Sequence, residues 1–286
     1  MTETSHPLRA GVWMLGAVAS FSAMAVAGRE LSVEMNTFEL MMYRSIIGFV
    51  VVNLLILKLG GFAQIKTNRL VMHVKRNIFH FAGQNLWFFG VAVIPFSQLV
   101  ALEFTSPIWV ILLAPIFLGE KMTRTRIFAA LLGFIGVLIV AQPSVITLNA
   151  GHAAGLGAAL FFGLNVIYTR KISRYEPVLS VLFWMTLMQA VFGLILSIPG
   201  GIPIPSVEGG QWVLVVSFCG LTAHYCLTTA LKLAPASIVA PMEFIRLPFI
   251  TFVGMVLYDE PVFWAVGVGA LFILGANIIN IRAENR

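Results

Sequence analysis

Long apolar runs separated by short polar seams dominate the pattern of this chain. A hydrocarbon core of about 30 Å takes roughly 20 apolar residues per helix. On that ruler the runs predict ten membrane-spanning helices, at about 10–28, 38–57, 72–93, 96–118, 125–142, 151–169, 178–198, 211–231, 235–257 and 262–281. The longest seam, 197–211, holds Pro199, Gly200, Gly201, Pro203 and Pro205 and reads as a turn region, not a second domain. The expected fold class is all-α and polytopic.

The runs repeat. Shifting the numbering by 140 carries Pro95 onto Pro235, Ser97 onto Ser237, Glu103 and Phe104 onto Glu243 and Phe244, and Glu120 onto Glu260. Ala10 and Gly11 fall on Ala150 and Gly151, Ala19 on Ala159 and Phe21 on Phe161. A constant offset along the whole chain is the mark of internal duplication. A Glu–Phe pair inside an apolar run is rare, and here it recurs in register. Two five-helix repeats are expected, 1–143 and 144–286. Arg9, an apolar run and Ala23, Met24 and Ala25 imitate a cleavable leader. Because that segment has a counterpart at 150–169, it is expected to be a retained first span.

Composition agrees: 59% of residues are hydrophobic and 10% charged, with mean hydropathy +0.94, against about a quarter charged in soluble domains. From Ile127 to Thr169 no Asp, Glu, Lys or Arg occurs. The net charge of +6 is sorted by seam and not pooled, which argues against nucleic acid as a partner. Arg9, Lys58, Lys66, Arg69, Lys75, Arg76, Lys121, Arg124, Arg126, Arg170, Lys171, Arg174, Lys232, Arg282 and Arg286 fall on one side, and only Arg29 on the other. The positive-inside rule then puts both termini in the cytoplasm of a multi-pass inner-membrane protein. Five helices per repeat is an odd number, so the second copy enters from the opposite face. Such inverted repeats place a binding site near the midplane, where the halves meet.

The sequence Gly119, Glu120, Lys121, with Arg126 and the spacing Gly133…Gly136, resembles the end of the EamA repeat. That repeat occurs twice in ten-helix members of the drug/metabolite transporter superfamily, and the resemblance covers essentially the whole chain. The second half departs from it, with Asp259, Glu260 and Pro261 replacing the Gly-Glu-Lys run. The resemblance implies a carrier of small metabolites in the cytoplasmic membrane, often an amino-acid exporter; exporters of YddG type are one branch.

Ionisable side chains inside spans are costly and so mark candidate sites. Glu103 and Glu243 each lie eight residues from their proline, about 12 Å into the helix from opposite faces. Two readings stay open. Either they are structural partners, Glu243 with Arg246 and Glu103 with Arg44, or they line a cavity and take a substrate amine or a proton. Arg44 and Arg246 could equally hold a substrate carboxylate. His80, Gln84 and Trp87 share one face of the third span, and His224, Tyr225 and Thr228 occupy an analogous depth in the eighth. Asn85, Asn165, Tyr168 and Gln189 are further cavity candidates. Trp87, Trp109 and Trp184 read either as lipid-facing filler or as an aromatic substrate wall, whereas Trp13, Trp212 and Trp264 fit the interfacial belt. Pro107, Pro115, Pro241 and Pro248 interrupt the two motif helices and are hinge candidates, or static kinks. Cys219 and Cys226, about 10 Å apart along one helix, read as packing residues.

No phosphate-binding loop, nucleophile constellation or metal-ligand spacing stands out, so no enzyme activity, cofactor or metal is expected. The partners expected are the lipid bilayer and a small-molecule substrate, and a monomer would suffice. The leading expectation is export of amino acids, aromatic or apolar, or of related metabolites by alternating access. Uptake of a nucleotide-like metabolite or methyl donor is the alternative. A membrane enzyme or non-transporting scaffold is the third.

Overall fold

The computed structural model describes residues 6–65, 67–118, 123–141, 148–172, 175–233, 242–261 and 263–284. The elements are α1 (Pro7–Leu31), α2 (Thr37–Lys58), α3 (Leu70–Val93), α4 (Phe96–Glu103), α5 (Ser106–Leu118), α6 (Arg124–Ala141), α7 (Ala150–Ile172), α8 (Val178–Ser197), α9 (Val207–Leu233), α10 (Arg246–Tyr258) and α11 (Trp264–Glu284). No strand occurs among the described residues.

Local chemistry sets several of the starts. Asn36 and Glu39 form a reciprocal cap on α2: Asn36 Oδ1 accepts from the Glu39 amide at 3.1 Å, and Glu39 Oε2 from the Asn36 amide at 2.8 Å. Just before them, Glu34 accepts from the Ser206 hydroxyl at 2.6 Å and the Ser206 amide at 3.0 Å. Those bonds hold its carboxyl below the ordinary range and tie this turn to the start of α9.

Among the described residues, five helices are long and apolar enough to cross a membrane, within α1, α2, α7, α8 and α9, and three shorter apolar ones lie in α6, α10 and α11. Two departures from the ten-span expectation have physical causes. Helix α3 has the length, but a row of polar side chains lowers its hydropathy. The expected single helix at 96–118 is two helices, α4 and α5.

The helices pack in antiparallel pairs, α1 along α9, α3 along α7, α2 along α8 and α6 along α11. The His6 amide at the head of α1 donates to the Leu233 carbonyl at the foot of α9 at 2.8 Å. Gly151 at the head of α7 meets Val93 and Ile94 at the end of α3. The contacts also exchange between the halves. Gly133 faces Ala276 while Gly136 faces Ile273, and each residue is the other pair's counterpart under the 140-residue shift. Gly16 packs on Cys226, and the contact returns as Gly157 on Leu86, one residue from strict register. Only small residues allow this approach: a methyl on Gly136 would lie 2.7 Å from the Gly269 carbonyl oxygen.

Both motif helices break at their carboxylate. Helix α4 stops at Glu103, and Thr105 Oγ1 donates back to the Leu102 carbonyl at 2.7 Å. Pro107 has no N–H for the Glu103 carbonyl, so a continuous helix would lose that bond. In the second half a 3-10 turn at Glu243–Ile245 precedes α10. Of the other hinge candidates, Pro115 lies inside α5, Pro248 sits exposed in the first turn of α10, and Pro241 lies outside the described residues, as does the Gly-Glu-Lys run.

Candidate functional site

Glu103 ends one half-helix and Arg246 begins another, and they meet across the halves. Arg246 Nη2 lies 2.6 Å from Glu103 Oε2, which also accepts from Trp87 Nε1 at 2.8 Å. The guanidinium sits between the rings of Phe21 and Phe104, at 5.4 and 5.3 Å from their centroids. Each charge is at the wrong end of its own helix. A carboxylate at a C-terminus and a cation at an N-terminus are each disfavoured by about 0.3–1 kcal/mol, and pairing offsets both.

This replaces the pairings expected from sequence. Arg246 bonds Glu103 and not its neighbour Glu243, because the turn at Glu243–Ile245 interrupts the helical spacing that an i, i+3 pair needs. Glu243 is half-buried and acts on Arg246 through space. Arg44 turns to Gln84, with its Nη1 2.9 Å from Oε1. Trp87 is 3% exposed, so it faces the interior and not lipid.

Helix α3 carries a polar row running along one face. His73, Arg76, Asn77, His80, Gln84 and Trp87 recur at helical spacing, and all are buried. At one end, His73 Nε2 lies 3.6 Å from Glu176, whose carboxyl also accepts from Thr67 and from Ser180. Burial works to raise the Glu176 carboxyl, but these hydrogen bonds and His73 overcome it and leave it below the ordinary range. In the middle, His80 bonds Gln189, and its ring lies 5.5 Å from that of His224. At the other end, Trp87 reaches Glu103.

Other candidates lie off this row. Asn85 donates to the Phe81 carbonyl of its own helix at 2.8 Å. Trp184 lies 5.7 Å from His73. Asn165 Oδ1 is buried without a hydrogen-bond partner. Tyr168 stacks near Phe79 and Phe117 beside α5. Tyr225 is 56% exposed, turned outward against Trp13. One residue is a correction: Arg76, expected among the seam charges, is 5% exposed and bonded to Thr169 and Asn77. Helix α3 begins at Leu70, which puts Arg76 nearly two turns inside. Its i, i+4 spacing to His80 was the available signal.

Among the described residues no three His, Cys, Asp or Glu side chains converge as metal ligands. The architecture, with its broken helices and exchanged contacts, has a counterpart among known families. The model of the EamA-like transporter family matches twice, over residues 8–142 and 149–282. The chain belongs to the EamA-like transporter family. The riboflavin transporter of Rhizobium johnstonii is 26% identical over 285 residues, 99% of this chain and 94% of that one. The riboflavin transporter of Brucella anthropi is 30% identical, covering 82% and 84%. The S-adenosylmethionine uptake transporter of Rickettsia bellii is 24% identical, covering 96% and 94%. A crystal structure sharing 16% identity superposes with TM-score 0.66 over 95% of this chain and 96% of its own, which supports the fold. In this EamA-family transporter the α3 row and the cross-half ion pair are thus polar groups inside a membrane-embedded carrier of small molecules.

Proposed function

We propose that this chain is a secondary carrier that takes up a nucleotide-like metabolite by alternating access. In this reading ten spans form two inverted five-helix repeats in the bacterial inner membrane, with both termini cytoplasmic. The supporting observation is the Glu103–Arg246 ion pair, which joins the two halves at the point where both motif helices are interrupted. Half-helix ends near the midplane are where transporters of repeated architecture hold substrate. Each of these charges is misplaced on its own helix and gains most from the other, so a substrate or a proton could replace either side.

Uptake and the substrate class draw on the relatives, named for riboflavin and for S-adenosylmethionine. Both molecules join a flat heterocycle to a polyol or sugar. Export of amino acids rests on family resemblance and on a few aromatic and Arg residues. The buried row of donors and acceptors on α3 suits a molecule with many polar edges, and the rings of Trp87, Trp184 and Phe162 suit its flat face.

The test is accumulation of labelled compounds in proteoliposomes, with and without a pH gradient. The panel is riboflavin, S-adenosylmethionine, adenosine and the aromatic amino acids. Saturable accumulation of a heterocyclic compound, lost in Glu103→Gln, supports the reading. Transport of amino acids only would replace it with the export reading, and accumulation of nothing beyond empty liposomes would end it.

A further inference from the structure

Buried positive charge without a buried counter-charge is the imbalance left in the interior. Arg44 and Arg76 are 6% and 5% exposed. Arg44 Nη1 bonds Gln84 Oε1 at 2.9 Å and Met41 Sδ at 3.4 Å. Arg76 bonds Thr169 Oγ1 at 3.0 Å and Asn77 Oδ1 at 2.8 Å. All four partners are neutral. Among the described residues neither guanidinium has a carboxylate in ion-pair range; Glu103 is engaged by Arg246, and Glu176 lies with His73.

An uncompensated cation at this depth costs several kcal/mol. Arginine cannot escape by shedding its proton. Among the described residues each guanidinium also keeps N–H donors that no acceptor fills, in the planar fork that matches carboxylate and phosphate oxygens. Space has been kept for one of them. A methyl on Gly220 would lie 2.8 Å from both Nε and Nη2 of Arg44. Arg76 and Gln84, the partner of Arg44, stand eight residues apart on α3, about 12 Å of helix rise, with His80 midway between them. Phe162, with its ring 6.3 Å from that of His80, supplies a flat apolar wall there.

We propose that Arg44 and Arg76 flank an anion-binding subsite about His80, and that the substrate carries a carboxylate or phosphate on a ring-bearing body. The proposal rests on the carrier reading above and adds the charge of the cargo. The neutral partners Gln84, Asn77 and Thr169 orient the two forks without neutralising them, which leaves the charge for the ligand. Arg246 differs, since its bridge to Glu103 is an internal neutral pair.

The test uses the full chain in lipid nanodiscs and reads its melting temperature against phenyl phosphate, benzoate and the uncharged benzyl alcohol. At least one anion is expected to raise the melting temperature saturably at millimolar concentration, while benzyl alcohol does not. Half-saturation is expected to move at least tenfold higher in Arg44→Gln and in Arg76→Gln, with Arg44→Lys, which keeps the charge but loses the fork, falling between wild type and Arg44→Gln. Which anion saturates lower separates carboxylate from phosphate. Absence of any anion-specific stabilisation in the wild type, a comparison that needs no variant to fold, overturns the proposal. So does equal stabilisation in the wild type and both Gln variants. Anion binding without uptake of any labelled compound would leave the subsite standing and remove the carrier reading; uptake without an anion effect would do the reverse.

Discussion

If the carrier alternates between two states as proposed, Glu260 is the place to perturb the balance between them. Its carboxylate takes Arg29 of α1 on one oxygen and the amide of Phe96, at the head of α4, on the other at 2.8 Å. Arg29 in turn donates to the carbonyls of Val91 and Ile94, both at 2.7 Å, and covers the Phe96 ring at 3.7 Å. Tyr258 bonds Glu30 beside them. One carboxylate thus ties α1, α3, α4 and the end of α10 at a single face. Glu260→Gln keeps the size and one acceptor but removes the charge. A charge-assisted hydrogen bond is worth about 1.5–3 kcal/mol and a charge at a helix head about 0.3–1 kcal/mol. With part of the bonding retained, a loss of about 2 kcal/mol is expected. If the latch exists only in the state described here, the opposite state gains about 30-fold in population. The assay is labelling of Ser97→Cys, a position 2% exposed behind the latch, in a background lacking Cys219 and Cys226. A membrane-impermeant thiol reagent applied from the Arg29 face should react about 30-fold faster in Glu260→Gln. Rates within twofold of wild type in a folded Glu260→Gln protein would refute the latch.

Three further outcomes are expected. Glu103→Gln leaves Arg246 buried without its bonded counter-charge, with Glu243 acting only through space, and should lower stability by about 3 kcal/mol, read as melting temperature in nanodiscs, whereas Glu103→Gln with Arg246→Met should recover most of it. Gly136→Leu forces a side chain into the 2.7 Å approach to Gly269 and should cost about 1–3 kcal/mol or separate α6 from α11; a Gly136→Leu protein that melts like wild type would contradict that packing. The Glu34 carboxyl is held below its ordinary value by Ser206, so the tie it makes is fully present above about 4.5 and is lost as pH falls through its lowered value. Amide exchange at Gly209 and Gly210 should accelerate on that descent, and Ser206→Ala should show fast exchange at every pH.

The repeat, the helical class and the intramembrane charges were legible because each leaves a mark in linear sequence: offset, hydropathy, or a charge out of place. Partner choice was not. Glu103 and Arg246 are 143 residues apart, and the turn at Glu243–Ile245 that separates Arg246 from its neighbour is invisible to helical spacing. Arg76 falls inside the span expected at 72–93, yet beside Lys75 it reads with the seam charges, and its bonds to Thr169 and Asn77 are what show it turned inward. The face Trp87 shares with His80 and Gln84 already offered an interior reading beside the lipid-facing one, but its partner Glu103 was not legible. In a protein surrounded by lipid an apolar face says little about inside and outside, so polarity and not hydropathy carries that information.

Duplication also explains where specificity must lie. Contacts conserved between the halves, such as Gly133 with Ala276 and Gly136 with Ile273, build a scaffold, and a two-fold scaffold alone presents equal chemistry to both faces. The interior breaks that equality. Under the 140-residue shift Arg44 becomes Trp184, Arg76 becomes Val216, and His80 becomes Gly220, the residue whose missing side chain admits the Arg44 guanidinium. Arg246 has only Ser106 as its counterpart. The first half therefore supplies two guanidiniums and an imidazole at positions where the second supplies a ring, an aliphatic side chain and a gap. A ligand with one charged end and one flat end fits such a site in one orientation only. Exchanging the chemistry of Arg44 and Trp184 should then invert that orientation or abolish binding, while leaving the helix pairing intact.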